Sequence, residues 1–97
     1  MLIETKESKI IYNNISQDTI KIDYLVVKPR YRNNGIGRKV VESLIKKCKS
    51  EGIRNIKIDA YYKTKSFWEK LGFEVDNTPQ IIDGIRQDYH NGIYKIK

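Results

Sequence analysis

Val27-Lys28-Pro29-Arg30-Tyr31-Arg32-Asn33-Asn34-Gly35-Ile36-Gly37 is the stretch on which the fold turns. Before it, residues 19–27, TIKIDYLVV, read as a strand, with Ile20, Ile22, Tyr24 and Val26 alternating with Lys21, Asp23, Leu25 and Val27. The end of that run is apolar on both faces, which makes the strand central, and Pro29 stops it. After it, residues 36–51 read as a helix. Val40, Val41, Leu44, Ile45 and Cys48 form one apolar stripe, Glu42 precedes Lys46 by four, and Gly52 stands at the C′ position. Between strand and helix lie a basic loop and two glycines. Glycines let the backbone approach a ligand and turn successive N–H groups toward it. The helix N-terminus adds about half a positive charge, and Arg30, Arg32, Arg38 and Lys39 add full ones. The arrangement is that of a phosphate site. The alternative is an ordinary strand-loop-helix connection with tight-turn glycines.

Residues 9–15 read as a short strand closed by a turn at Ser16-Gln17-Asp18. Residues 53–60 form another strand, with Ile56 and Ile58 on one face. Residues 63–71 form a short helix bearing Thr64, Phe67, Trp68 and Leu71, stopped at Gly72. Phe73-Glu74-Val75 begins a further strand, 76–84 is mostly loop, and 92–97 alternates and closes the sheet. The order β-β-α-β-α-β-β predicts a single α/β domain over residues 1–97 with a mixed central sheet and flanking helices.

Composition narrows the chemistry. The chain has 97 residues, and 19 Lys plus Arg against 12 Asp plus Glu leave +7, a charge that favours anionic partners. With 39% hydrophobic residues the chain can bury one modest core. One Cys excludes an internal disulfide, and one His beside it excludes a Cys/His metal cluster, so no metal site is expected. Cys48 falls on the helix stripe and reads as a buried small hydrophobe. His90 lies in the turn-like run Asp88-Tyr89-His90-Asn91-Gly92 and reads as surface. No apolar run approaches the ~18–20 residues that span a bilayer, and the N-terminus has no signal-peptide stretch, so a cytoplasmic protein without membrane contact is expected. The basic residues gather at the loop rather than in a stripe, and no nucleic-acid motif is present, which argues against a nucleic-acid partner.

Two nucleotide fingerprints fail on residues. G-x-G-x-x-G would need glycine where Val40 stands, and no G-x-x-x-x-G-K-S/T run exists. Arg32-Asn33-Asn34-Gly35-Ile36-Gly37, preceded by Val27-Lys28-Pro29, instead resembles the Q/R-x-x-G-x-G/A acyl-CoA motif of the GNAT superfamily of N-acetyltransferases. About thirty residues on, Thr64-Lys65-Ser66-Phe67-Trp68-Glu69-Lys70-Leu71-Gly72-Phe73 is similar to the family's A-x-x-F-Y-x-x-x-G-F. The resemblance covers roughly residues 19–75.

The resemblance implies a GNAT-like fold lacking the family's N-terminal strand and two helices, with acetyl-CoA as co-substrate. It implies that Arg32, Asn33, Asn34, Gly35, Ile36, Gly37 and Arg38 cradle the pyrophosphate. Leu25, Val26 and Val27 would pair with the pantetheine arm as a neighbouring strand does, and Phe67 would line the other wall. It implies a bulged central strand that splays from the strand at 55–60, and direct attack of an amine on the thioester. The family's base position falls on Lys21, so Asp23, two residues on, is the expected base. The family's acid is a Tyr where Trp68 stands, so Tyr61 or Tyr62 is the expected acid. The short N-terminal part implies either an open acceptor site suited to a protein Lys or N-terminus, or a site that the second subunit of a homodimer completes. A module that binds CoA without turnover is the alternative.

Overall fold

The computed structural model describes residues 1–97. In chain order the elements are β1 (Leu2–Glu4), β2 (Ser8–Asn14), β3 (Thr19–Val27), α1 (Ile36–Ser50), β4 (Asn55–Tyr61), α2 (Lys65–Lys70), β5 (Glu74–Val75), β6 (Ile81–Ile82), β7 (Ile85–Arg86) and β8 (Tyr89–Lys95). Six strands form one sheet in the order β1-β2-β3-β4-β8-β5, and β6 with β7 forms a separate hairpin. Only the β3–β4 pair is parallel among the hydrogen-bonded neighbours. The expected mixed α/β sheet is therefore present, with β3 inside it.

The β3–α1–β4 and β4–α2–β5 crossovers advance in the same direction across the sheet, and their right-handedness puts both helices on one face. Ile10 and Tyr12 of β2, Ile20 and Ile22 of β3, and Ile56, Ile58 and Ala60 of β4 point to that face. They meet Val41, Leu44 and Cys48 of α1, and Trp68 and Phe73 at α2, in one core. Phe67, Trp68 and Phe73 stack edge-to-face with centroids 5.1 Å apart at each step, a geometry that adds to the burial itself. Cys48 is buried as expected, and burial pushes its thiol pKa up. α1 ends in a Schellman motif. Gly52 takes φ +79°, Ile53 N–H reaches Cys48 O at 2.9 Å, and Gly52 N–H reaches Lys49 O at 3.3 Å.

The structure departs from the sequence reading at five places, the last of them within β3. β1 was not anticipated; its three residues pair antiparallel with Lys9–Ile11. The loop at 76–84 holds half of a hairpin whose turn residues, Asp83 and Gly84, take φ +52° and +78°, the pattern of a type I′ turn. The last strand starts at Tyr89, not 92. His90 is consequently not a surface residue. It sits opposite the small Ala60, 8% exposed, with Nδ1 2.7 Å from Asp76 O.

The alternation of β3 also breaks. Tyr12 pairs with Ile22 and Ile11 with Tyr24, so Asp23 is an extra residue in the ladder. Beyond that bulge the faces exchange. Leu25 and Val27, not Tyr24 and Val26, continue the helix-facing row of Ile20 and Ile22, and Tyr24 is half exposed.

Candidate functional site

β3 and β4 pair only from Thr19↔Asn55 to Ile22↔Ile58. Past Ile22 the bulge turns β3 away, while β4 stays paired to β8 through Tyr61. The strands part, and a cleft of about 1010 Å³ opens between them. Its β3 wall is Asp23 to Val27; its β4 wall is Ile58, Asp59 and Tyr61. Phe67 and Trp68 of α2 close one side, and Arg32, Asn33, Gly35, Ile36, Gly37 and Arg38 line the mouth. On the parted side the backbone of Leu25–Val27 has no strand neighbour, since its ladder bonds go to β2.

The mouth is built by local backbone geometry. Asn33 and Gly35 take φ +66° and +74°, and Gly35 is the residue before α1. No side chain caps α1. Its first N–H groups therefore lack partners within the helix. Gly37 packs α1 against α2: a Cβ there would lie 3.3 Å from the Phe67 ring and 3.6 Å from Val27 Cγ2. The first turn of α1 carries no acid but does carry Arg38 and Lys39. Cations at a helix N-terminus oppose the helix dipole. Arg38 is partly offset by Glu42, whose Oε1 accepts from Nε at 2.8 Å. Arg32 Nε donates to Val27 O at 2.9 Å and ties the loop to the end of β3.

Two of the named residues stand apart. Asn34 does not line the cleft, and Tyr62 is 80% exposed on the wall of a neighbouring groove. Tyr61 lines both cavities and stacks edge-on against Tyr89, centroids 5.8 Å apart. Trp68 is buried in the core, beside Phe67 as its helical spacing predicts.

The polar face of the cleft holds residues that the sequence did not single out. Asp59 Oδ2 pairs with Lys21 Nζ at 2.9 Å, and Asp59 Oδ1 accepts from Gln80 Nε2 at 2.8 Å. Gln80 Nε2 also reaches Asn91 Oδ1 at 2.7 Å. Asp23 sits on the same sheet face, with Oδ2 accepting from Asn13 Nδ2 at 2.6 Å. Lys21 is thus drawn to Asp59, which leaves Oδ1 of Asp23 without a protein donor. The parallel register, which joins Lys21 to Lys57 and puts Asp59 two residues beyond, is what brings Asp59 here; Asp59 has no local sequence signal.

The hydrogen bond to Asp59 raises the Lys21 pKa above its ordinary 10.5. A raised folded-state value favours the folded protein fully below the unfolded pKa and loses that contribution as pH rises through the folded one. Asp59→Asn should therefore lower thermal stability at pH 8, and the difference from wild type should shrink above pH 11. Melting temperatures across that range check it; a difference that stays constant would refute the linkage.

Residues 2–88 match the family described as the acetyltransferase (GNAT) domain. The chain belongs to the GNAT acetyltransferase family. Glucosamine 6-phosphate N-acetyltransferase of Arabidopsis thaliana is 41% identical over 51 residues, covering 53% of this chain and 34% of that protein. The enzyme of the same name from Trypanosoma brucei brucei is 32% identical over 62 residues, covering 64% and 42%. The chain spans less than half the length of these relatives. A Bacillus subtilis acetyltransferase solved in complex with CoA shares the fold, with TM-score 0.75 and 18% identity over 94% of this chain and 70% of that one. No helix is long and apolar enough to cross a membrane.

Proposed function

We propose that this chain is an acetyl-CoA-dependent N-acetyltransferase that moves an acetyl group to an amine by direct attack on the thioester. The observation that carries the reading is the parting of β3 and β4 beyond Ile22 and Ile58, with the Gly35–Arg38 segment at its mouth. The uncapped first turn of α1, made basic by Arg38 and Lys39, suits a diphosphate better than it suits the helix alone. The free edge of Leu25–Val27 offers N–H and C=O groups to the two amides of a pantetheine arm. Phe67 and Ile58 supply an apolar wall for the thioester.

In this reading Asp23 receives the acceptor. An alkyl ammonium with a pKa of about 10.4 costs about 4.6 kcal/mol to deprotonate at pH 7. The free oxygen of Asp23 draws the ammonium in and takes its proton, directly or through one water. The amine lone pair then attacks the acetyl carbonyl carbon, and collapse of the tetrahedral intermediate breaks the C–S bond. The departing thiolate, with a pKa near 8.5, takes a proton from Tyr61 or from water. Tyr61 fits that role better than Tyr62 because it lines the cleft. Asp59 and Gln80 act by positioning Lys21 away from Asp23.

The acceptor is an amine that enters from the helix-free face of the sheet. The openness of that face supports a protein Lys or N-terminus as one acceptor, and a second copy of this chain as the element that closes it. Trp68 favours a second reading. It stands where an acid is expected, and its indole N–H is a hydrogen-bond donor that does not ionise in this range, which suits a module that binds CoA without turnover. Release of free thiol from acetyl-CoA in the presence of amines separates the two. Amine-dependent release supports the enzyme, and saturable binding with no release supports the module.

A further inference from the structure

Beside the cleft lies a second groove of about 920 Å³, and Tyr61, Lys63 and Thr64 stand in the walls of both. These three residues, at or just past the C-terminal end of β4, therefore border both cavities. Lys63, Lys65 and Arg86 line the groove against one carboxylate, Asp88. None of the three cations is paired with an acid, because the chain's ion pairs are Lys21–Asp59, Arg38–Glu42 and Lys47–Glu51. Lys65 Nζ is held by a neutral partner, Asn77 Oδ1, at 3.1 Å. Arg86 is carried there by the β6–β7 hairpin, whose own side chains are exposed. Three unneutralised cations around one concavity raise the local concentration of anions and favour a bound one.

We propose that this groove selects the acceptor: it takes a small amine that carries a phosphate or carboxylate group, holding the anion while the amine reaches past Tyr61 into the cleft. The proposal rests on the acetyltransfer reading and gives its acceptor a chemical class.

Matched acceptors test it: glucosamine 6-phosphate against glucosamine, and phosphoethanolamine against ethanolamine. Thiol release from saturating acetyl-CoA is followed for the wild type and for the double variant Lys65→Gln/Arg86→Gln, both of whose positions lie outside the cleft. The phosphorylated member of each pair is expected to have a kcat/KM at least about tenfold higher in the wild type. That ratio is expected to fall toward one in the double variant, while the KM for acetyl-CoA stays the same. Equal kcat/KM values within each pair would overturn the proposal and leave the enzyme reading standing. A double variant that loses acetyl-CoA affinity would also overturn it, assigning the cations to the co-substrate's own phosphates. Where no acceptor is turned over, amide chemical shifts report the outcome on the CoA-saturated protein. Shifts at Lys63, Lys65 and Arg86 with glucosamine 6-phosphate but not glucosamine support the groove's choice of an anionic amine; no selective shift overturns it.

Discussion

Gly37→Val is expected to abolish the stabilisation of this protein by acetyl-CoA. In the wild type, ligand at one hundred times its dissociation constant adds about 2.7 kcal/mol. In a domain of this length that raises the melting temperature by roughly ten degrees or more. Position 37 has no room for the added methyls: the first carbon alone meets the Phe67 ring at 3.3 Å and Val27 at 3.6 Å. Overpacking of this kind typically costs about 1–3 kcal/mol, and it pushes the start of α1 away from α2 and β3. The N–H groups at the mouth and the slot behind them then no longer share one geometry. The expected result is a folded protein with a lowered melting point and a ligand shift near zero. Gly37→Ala, which needs a movement of only a few tenths of an ångström, is expected to keep part of the shift. A full wild-type shift in both variants would mean that the ligand binds elsewhere.

Asp23→Asn is expected to lower kcat by about 10²–10⁴-fold, the usual contribution of a positioned base. Asn keeps the shape and the contact with Asn13 but cannot take a proton. The side chain is exposed on a bulge, so the melting temperature should stay within a few degrees of wild type, and the acetyl-CoA shift should be retained. In the wild type, rate should climb with pH as the amine acceptor loses its proton. In the variant, the loss should be largest at neutral pH and should narrow as pH approaches the amine's own pKa. A uniform loss at all pH values would make Asp23 a positioning residue rather than the base. No loss would move the role elsewhere on the cleft, with Asp59 the next carboxylate along its wall.

The mouth of the cleft was legible in sequence because its geometry is local. Gly35 needs its positive φ and Gly37 its missing Cβ within a few residues of the strand end and the helix start, so the pattern survives as a motif. The span of β3 and the stripe of α1 were legible for the same reason, being set by periodicity. The bulge carries no mark in β3 itself and was expected only from the family resemblance. It exists because β2 supplies one residue fewer than β3 across the turn, and it moved Leu25 and Val27 to the face assigned to Tyr24 and Val26. Asp59 escaped notice because the parallel register, not its neighbours in sequence, sets it against Lys21. His90 misled in the opposite direction. Its turn-like surroundings hide a strand that pairs on both sides, and Ala60 across from it leaves space for the ring in the core. Of the groove cations, Lys63 and Lys65 are neighbours in sequence, and Arg86 joins them only through the hairpin.

Whether the cleft between β3 and β4 is an acyl-CoA site is tested by a thermal titration of the intact chain with acetyl-CoA, with ATP and NAD as controls. The predicted result is a saturable rise of roughly ten degrees or more with acetyl-CoA at one hundred times its dissociation constant, and little change with either control. No rise in a folded protein, or an equal rise with ATP and NAD, would contradict it and leave a GNAT fold whose basic mouth binds anions without choosing the co-substrate.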